Sequence, residues 1–158
     1  GMVFKMERKR GFEIAKGFED KKINLPIRKT KYSAGYDVEA AEDTVIPSFK
    51  KGMAPTLIKT GIKAYMQDDE MLVLYNRSSN PKKKGLILAN SVGIIDKDYY
   101  GNEDNDGHIM FAFYNIKEED VTIKKGECIG QAIFQKYLLT DDDNAEGIRE
   151  GGFGSTSK

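Results

Sequence analysis

Short apolar runs recur along this chain at intervals of about ten residues, and no long amphipathic helical pattern lies between them. The runs with strand character cover residues 44–46, 56–65, 71–75, 108–114, 121–123 and 128–139. Turn-forming residues such as Pro47 and Gly52 separate these runs, and Gly61 marks a turn or bend within the run 56–65. Short strands at this spacing are typical of antiparallel sandwiches and barrels. The sequence therefore predicts an all-β domain.

Residues 85–101 combine strand signals with polar groups more densely than the rest of the chain. Two apolar runs, 86–89 and 92–95, flank the pair Asn90-Ser91. Two strand-like runs separated by two turn-forming residues predict a β-hairpin. Taken alone, the segment favours a core hairpin followed by an ordinary turn.

The second of these runs ends at a carboxylate, Asp96, which follows two isoleucines. We expect apolar neighbours to desolvate this carboxylate partly, and desolvation makes a carboxylate a better base. Tyr99 and Tyr100 follow, and an aromatic ring can stack on a flat ligand. The segment is therefore a candidate for both acid–base chemistry and ligand stacking.

The charge balance and the rare residues exclude several classes of protein. Lysine plus arginine and aspartate plus glutamate each number 25, so the formal net charge is zero. A general nucleic-acid binder needs excess positive charge on one face, and we therefore expect no nucleic-acid partner. The single cysteine, Cys128, excludes an intrachain disulfide and fits a reducing compartment. The single histidine, His108, excludes a multi-histidine metal site within one chain.

Targeting signals are also absent from the printed sequence. No apolar run approaches the roughly 20 residues of a membrane-spanning helix. The charged N-terminal residues lack the apolar core of a signal peptide. We therefore expect a cytoplasmic protein without a membrane partner.

Three polar segments invite a functional interpretation. Arg77 followed by Ser78 and Ser79 offers a planar donor fork and two hydroxyls, which suits an anion, although a capped turn is the simpler alternative. Asp37 follows small residues and belongs either to a metal or phosphate environment or to a turn. The acidic loop 102–107 suggests calcium, but it lacks the twelfth-position glutamate of an EF-hand, so we set that interpretation aside.

Five sequence blocks follow one another along the chain. They are Ala34-Gly35-Tyr36-Asp37, Arg77-Ser78-Ser79, Gly93-Ile94-Ile95-Asp96-Lys97-Asp98-Tyr99, Gly126 to Gln131, and Gly151-Gly152-Phe153-Gly154-Ser155-Thr156. Each block alone is a weak signal, but all five in this order resemble the trimeric deoxyuridine triphosphatase (dUTPase) family. The resemblance extends from about residue 33 to the end of the printed chain.

The resemblance implies an all-β jelly-roll or β-clip barrel subunit formed by residues 1–140, with residues 1–32 as a less well-matched extension. It implies that residues 141–158 form a flexible C-terminal arm that closes over an active site built by neighbouring subunits. It further implies a homotrimer with sites at its subunit interfaces. The implied reaction is hydrolysis of dUTP to dUMP and pyrophosphate with Mg²⁺, by water attack on the α-phosphate. Such a reaction limits uracil in DNA and supplies dUMP for dTMP synthesis.

The resemblance also implies roles for individual residues. Asp96 would be the catalytic base, and Asp37 would act on Mg²⁺ through water. The implied substrate-binding residues are Arg77, Ser78, Ser79, Asn90, Gly93, Ile94, Ile95, Tyr99, Met110, Gln131, Arg149, Phe153, Gly154 and Ser155. Among them, the Arg-Ser-Ser block and Gln131 would hold phosphates.

The nucleoside and the terminal phosphate would be held by other members of this set. Asn90 and the backbone of residues 93–96 would pair with the uracil edge, and Tyr99 would lie against the deoxyribose. Phe153 would stack on uracil, and Arg149 would meet the γ-phosphate. A pocket that matches one base edge rejects other bases, because its polar groups would be left unpaired.

Three departures from the family pattern accompany the match. Arg149 stands one residue closer to Phe153 than in the commoner pattern, Asn76 replaces a glycine or proline, and the 102–107 loop is longer than usual.

A related dCTP deaminase would carry a glutamate where Tyr100 stands, so deamination is disfavoured. A non-catalytic nucleotide sensor is the remaining alternative, but binding alone needs no base.

Overall fold

A computed structural model describes residues 7–152 of the chain. Its strands are β1 Gly11–Ile14, β2 Tyr36–Glu39, β3 Thr44–Ile46, β4 Thr56–Lys59, β5 Ile62–Tyr65, β6 Glu70–Asn76, β7 Leu86–Leu88, β8 Gly93–Ile95, β9 Met110–Asn115, β10 Val121–Ile123 and β11 Cys128–Lys136. Three short helical turns cover Phe49–Lys51, Asn80–Lys84 and Lys97–Tyr99. The prediction of an all-β domain is confirmed.

The strands form two larger antiparallel sheets and two small ones. The four-stranded sheet has the order β2-β11-β6-β8, and the three-stranded sheet has the order β4-β9-β7. The smaller sheets pair β1 with β5 and β3 with β10. Many of these pairs join strands that lie far apart in the sequence, as jelly rolls do.

Apolar side chains from both larger sheets form one core. Leu72 and Leu74 come from β6, while Phe111 and Phe113 come from β9, and all four are buried. The two phenylalanine rings stack with centroids 6.2 Å apart. Burial alternates along β9, as expected for a strand with one face on the core. The fold is therefore held by interdigitation between sheets that pack on each other.

The predicted hairpin at residues 86–95 is wrong. β7 pairs with β9, whereas β8 pairs with β6, so the two strands belong to different sheets. Residues 89–92 turn the chain from one sheet to the other, and Ser91 adopts a positive φ of 64° in that turn. In each strand the first and third residues are buried and the middle one is exposed. Buried residues of both strands pack in the shared core, although the two strands do not pair with each other.

A break at Gly61 divides the apolar run 56–65 into β4 and β5, as the turn residue predicts. Gly61 has a positive φ of 74°, and its N–H donates to His108 Nε2 at 3.0 Å. Burial lowers the pKa of His108 to about 4, with the nearby Lys59 charge acting in the same direction. The neutral imidazole therefore serves the fold as a buried hydrogen-bond acceptor.

The strand near the N-terminus, β1, is part of the domain. β1 pairs with β5, and Phe12 packs against Tyr36 and Phe134 with ring centroids 5.6 and 5.3 Å away. Within residues 7–152 no helix is long and apolar enough to cross a bilayer.

Candidate active site

Asp96 immediately follows β8, where the strand gives way to a helical turn. Ile95 is 8% exposed, but the Asp96 side chain is 56% exposed. Successive side chains of a strand point to opposite faces, so burial of Ile95 directs Asp96 outward. The predicted desolvation of Asp96 by its isoleucine neighbours is therefore wrong. The carboxylate is accessible to water and to a polar ligand.

Tyr99 lies at the end of the helical turn that follows Asp96 and is only 5% exposed. Its hydroxyl donates to the His108 carbonyl at 2.5 Å and accepts from Asn105 Nδ2 at 2.8 Å. Burial raises the pKa of the Tyr99 phenol. Two hydrogen bonds to the segment 105–108 thus fix this ring behind Asp96.

The C-terminal arm crosses this part of the molecule through Arg149. Arg149 Nη2 donates to Asp96 Oδ2 and Nε donates to Asp98 Oδ1, both at 2.7 Å. The guanidinium carbon lies 5.8 Å from the centroid of the Tyr99 ring, and the arginine side chain is 8% exposed. The Arg149 guanidinium thus bridges two carboxylates, a contact that no sequence motif predicted. Phe153, Gly154 and Ser155 lie outside the described residues.

The candidate uracil-binding residues lie between the end of β7 and the end of β8. Asn90 is exposed in the turn, and its carbonyl accepts the Val92 N–H at 2.7 Å. Gly93 is buried against Leu74, while Ile94 is 57% exposed. Within residues 7–152 β8 is an edge strand, so one side of its backbone is not used by the sheet.

Met110, a further member of the predicted set, begins β9 and is half-buried. It stands two residues after His108, whose carbonyl anchors Tyr99. Met110 therefore belongs to the Tyr99 side of the molecule.

A second group of predicted residues gathers around β11. Asp37 on β2 is paired in register with Gln131 on β11, and Gln131 Nε2 donates to the Asn76 carbonyl at 3.3 Å. A Cβ added to Gly35 would lie 2.2 Å from Gln131 Oε1, so any larger residue there would displace the Gln131 amide. Lys29 Nζ lies 3.5 Å from the Asp37 carboxylate.

The Arg77-Ser78-Ser79 block lies at the end of β6, beside the same group. Arg77 is half-buried and Nη1 donates to the Cys128 carbonyl at 3.2 Å. Ser78 is exposed and Ser79 is half-buried, so both stand near the surface beside the arginine. The Cys128 thiol is half-buried, and burial raises its pKa.

Two asparagines hold this block in place, and neither had a predicted role. The Asn76 amide donates to the Leu86 carbonyl at 2.9 Å, and its oxygen accepts the Arg77 N–H at 2.9 Å. Asn80 is 1% exposed and donates to Asn76 Oδ1 at 2.7 Å and to the Ile129 carbonyl at 3.0 Å. The sequence signal for this role was the pair of asparagines that flank Arg77-Ser78-Ser79, because buried side-chain amides must find hydrogen-bond partners.

The two groups lie at opposite ends of β6. Ile95 is paired with Leu72 at one end of the strand, and Gly130 is paired with Asn76 at the other. At ~3.3 Å per residue, Asp96 and Arg77 are separated along the strand by roughly 16–20 Å. A single chain does not bring the candidate base and the candidate phosphate loop together.

The fold and the candidate site define an antiparallel β-sandwich protein with a candidate anion-binding loop at one end and a separate acidic site at the other. Comparison with known proteins identifies it more narrowly. Residues 21–157 match the dUTPase family model. The chain belongs to the dUTPase family, and the resemblance found in its sequence is confirmed.

Individual relatives cover most of the chain. The deoxyuridine 5'-triphosphate nucleotidohydrolase of Lactococcus lactis is 53% identical over 149 residues, covering 93% of this chain and 97% of the relative. The protein of the same name from Enterobacter sp. strain 638 is 35% identical, covering 85% and 87%. The dUTPase from Streptococcus mutans has a TM-score of 0.77 and 46% identity, covering 83% of this chain and 98% of that one.

Proposed function

We propose that this protein hydrolyses dUTP to dUMP and pyrophosphate, with Asp96 as the general base. The observation that carries the proposal is the solvent-open carboxylate at the end of β8, in a chain that belongs to the dUTPase family. Asp96 takes a proton from water while the water oxygen bonds to the α-phosphorus. The bond from that phosphorus to the bridging oxygen breaks, and pyrophosphate leaves with the electron pair. Positioned proton transfer of this kind contributes about 10²- to 10⁴-fold to a rate.

Recognition of uracil is assigned to the turn and edge strand that lead to Asp96. An edge strand offers N–H and C=O groups in a fixed alternation, which can pair with the edge of a pyrimidine. Asn90 supplies an amide beside that edge, and Tyr99 supplies a ring fixed by hydrogen bonds for the sugar. These rigid supports favour one base over others, because a mismatched base leaves buried polar groups unpaired.

Phosphate binding is assigned to Arg77, Ser78, Ser79 and Gln131. The half-buried Arg77 guanidinium can form charge-assisted hydrogen bonds to a phosphate, and the Ser78 and Ser79 hydroxyls add small donors beside it. Asn76 and Asn80 fix the backbone of this loop before any ligand arrives. Arg149, now bridging Asp96 and Asp98, is assigned to the γ-phosphate once substrate provides that stronger anion.

Magnesium is assigned to the nucleotide-bound state, with Asp37 contacting it through water. Residues 7–152 contain no group of three or more side chains suited to hold a metal ion. Magnesium is commonly held by one or two carboxylates together with substrate phosphates, so a single carboxylate near the phosphate loop fits that donor set. When bound, the ion offsets the negative charge of the phosphates.

The separation of the two groups supports assembly as a homotrimer with shared sites. Asp96 and Arg77 lie at opposite ends of β6, so a complete site needs a second copy of the chain. The outer face of the β4-β9-β7 sheet is rich in apolar groups, and Leu57 and Ile87 on it are 43% and 40% exposed. An exposed apolar face of this kind is suited to contact between subunits.

In the cell, the proposed reaction would limit uracil in DNA and supply dUMP for dTMP synthesis. We place it in the cytoplasm, where the half-buried thiol of Cys128 would remain reduced.

Deamination is disfavoured because Tyr100 stands where a dCTP deaminase would carry a glutamate. The Tyr100 hydroxyl is hydrogen-bonded to Glu13, and this bond raises the pKa of Tyr100 to about 12.

The test is a substrate panel. Pyrophosphate release is measured with dUTP, dTTP, dCTP and UTP, with and without Mg²⁺. We expect dUTP to be preferred by about 10⁴-fold in kcat/KM over the other bases, and magnesium to be required. Comparable rates for all four nucleotides, or no release from dUTP, would overturn the proposal.

A further inference from the structure

The 102–107 loop is held in shape by hydrogen bonds of its own side chains. Asn102 Nδ2 donates to the Tyr99 carbonyl at 2.7 Å and to Asn105 Oδ1 at 2.8 Å. Asn102 Oδ1 accepts the N–H groups of Asp104 and Asn105 at 3.0 and 3.1 Å. The amides thus close the loop on itself and tie it to Tyr99.

The other end of the loop is fixed to the body of the domain. Asp106 Oδ2 accepts from Lys63 Nζ at 2.7 Å and from the Lys16 N–H at 2.9 Å. The Lys63 side chain is only 16% exposed, so this ion pair is sheltered from solvent. The loop therefore presents a preformed surface.

The C-terminal arm is seated on that surface at Gly152. The Gly152 N–H donates to Asp104 Oδ2 at 2.8 Å, and Gly152 is buried. A Cβ added there would lie 3.0 Å from side-chain oxygens of Asn102 and Asn105. The loop therefore closely fits an arm residue without a side chain and supplies a charged acceptor for its amide.

We propose that the 102–107 loop is the receptor that seats the arm, and that Asp104 is a positioning residue for the dUTPase reaction. The inference rests on the proposed function. The arm has two attachment points, Arg149 on Asp96 and Asp98, and Gly152 on Asp104. Substrate must draw Arg149 away from Asp96 so that the base can act. The bond from Gly152 to Asp104 keeps the arm in place during that exchange.

The first experiment compares Asp104→Ala with wild type and with Asp104→Asn, which retains an uncharged acceptor. Amide hydrogen exchange of residues 149–152, measured on the full chain without nucleotide, should accelerate in Asp104→Ala by roughly 5- to 10-fold. KM for dUTP should rise by a similar factor while kcat changes less than about twofold. Asp104→Asn should restore most of both values.

Glu103→Ala is the matched control, because the Glu103 side chain makes no hydrogen bond or ion pair with any part of the chain that the structure describes. It removes a neighbouring acid of the same loop and should leave exchange and KM unchanged. If Glu103→Ala and Asp104→Ala act alike, net charge rather than the bond to Gly152 is responsible, and the proposal is wrong.

A second pair of variants tests the same contact from the arm. Gly152→Ala should displace the arm by contact with Asn102 and Asn105, whereas Gly147→Ala should be silent because its Cβ would meet nothing within 4 Å. Unchanged exchange and KM in both Asp104→Ala and Gly152→Ala would overturn the positioning role in an active enzyme. Absence of dUTP hydrolysis by the wild type would instead overturn the proposed function.

Discussion

The two ends of β6 carry the two halves of the candidate site, and they are built differently. At the phosphate end, the buried Asn80 and its neighbour Asn76 hold the Arg77 backbone through neutral hydrogen bonds. At the acidic end, the exposed carboxylates Asp96 and Asp98 are joined to a distant segment through Arg149.

The difference concerns when each half is organised. Buried amide bonds are expensive to leave unmade, so the phosphate end is fixed as the chain folds. Ion pairs with exposed carboxylates are worth little and exchange readily, so the acidic end can be rearranged by a competing anion. A rigid half at the proposed phosphate site and an exchangeable half at the proposed base suit a hydrolase that must admit and release a nucleotide.

Loss of the base should have the largest effect. Asp96→Asn is expected to lower kcat for dUTP by about 10²-fold or more, with KM changed little, because the amide cannot accept the proton from water. Asp98→Asn is the matched control, since it removes the other partner of Arg149 but not the base. Near-normal turnover by Asp96→Asn, or equal losses in the two variants, would contradict the assignment.

The proposed division of the site between subunits predicts complementation. Asp96→Asn and Arg77→Ala should each be nearly inactive, but unfolding and refolding them together should restore about a quarter of the wild-type activity. With random mixing, about one site in four combines an intact Asp96 from one chain with an intact Arg77 from another. Equal amounts of separately refolded variants serve as the control. No recovery in verified mixed trimers would place both residues of a site on one chain.

Acid should destabilise the region behind Tyr99 before it affects most carboxylate contacts. His108 is neutral in the folded protein because burial lowers its pKa from 6.5 to about 4. The unfolded chain therefore binds this proton first, and stability is lost as pH falls from about 6.5 to about 4. The loss is on the order of 3 kcal/mol and is complete below the folded value.

Urea denaturation at a series of pH values measures this loss, and His108→Gln should remove it. Carboxylates with lowered pKa act in a separate range. The pKa of Glu13, for example, is lowered mainly by the Tyr100 hydroxyl, so its contribution is lost only as pH falls below its ordinary value of 4.5. A loss between pH 6.5 and 5 that persists in His108→Gln would contradict the role of the imidazole.

The smallest predicted effect is a difference in the stability that the two ends of β6 contribute. Asn80→Ala should lower the free energy of unfolding by about 2 kcal/mol, because it leaves the Ile129 carbonyl and Asn76 Oδ1 without their buried donor. Asp98→Asn should change it by less than about 1 kcal/mol, because the Asp98 side chain is 59% exposed. Equal changes in urea denaturation would erase the proposed difference between the ends.

Most strands were predictable because each has a local signal. Runs 44–46 and 121–123 match β3 and β10, and the turn residue Gly61 marks the break between β4 and β5. The hairpin at 86–95 failed because its local pattern is equally compatible with strands in separate sheets. Asp96 was wrongly expected to be desolvated because neighbours in sequence lie on opposite faces of a strand.

The sequence by itself determined the all-β class, the family and the identities of the candidate residues, since strand periodicity and motif order are properties of the chain. Only the tertiary structure decided that Asp37 meets Gln131, that Arg149 bridges Asp96 and Asp98, and that Asp104 receives Gly152. These contacts join segments far apart in the chain, and their formation depends on how sheets pack around a shared core. No local pattern of residues encodes that packing.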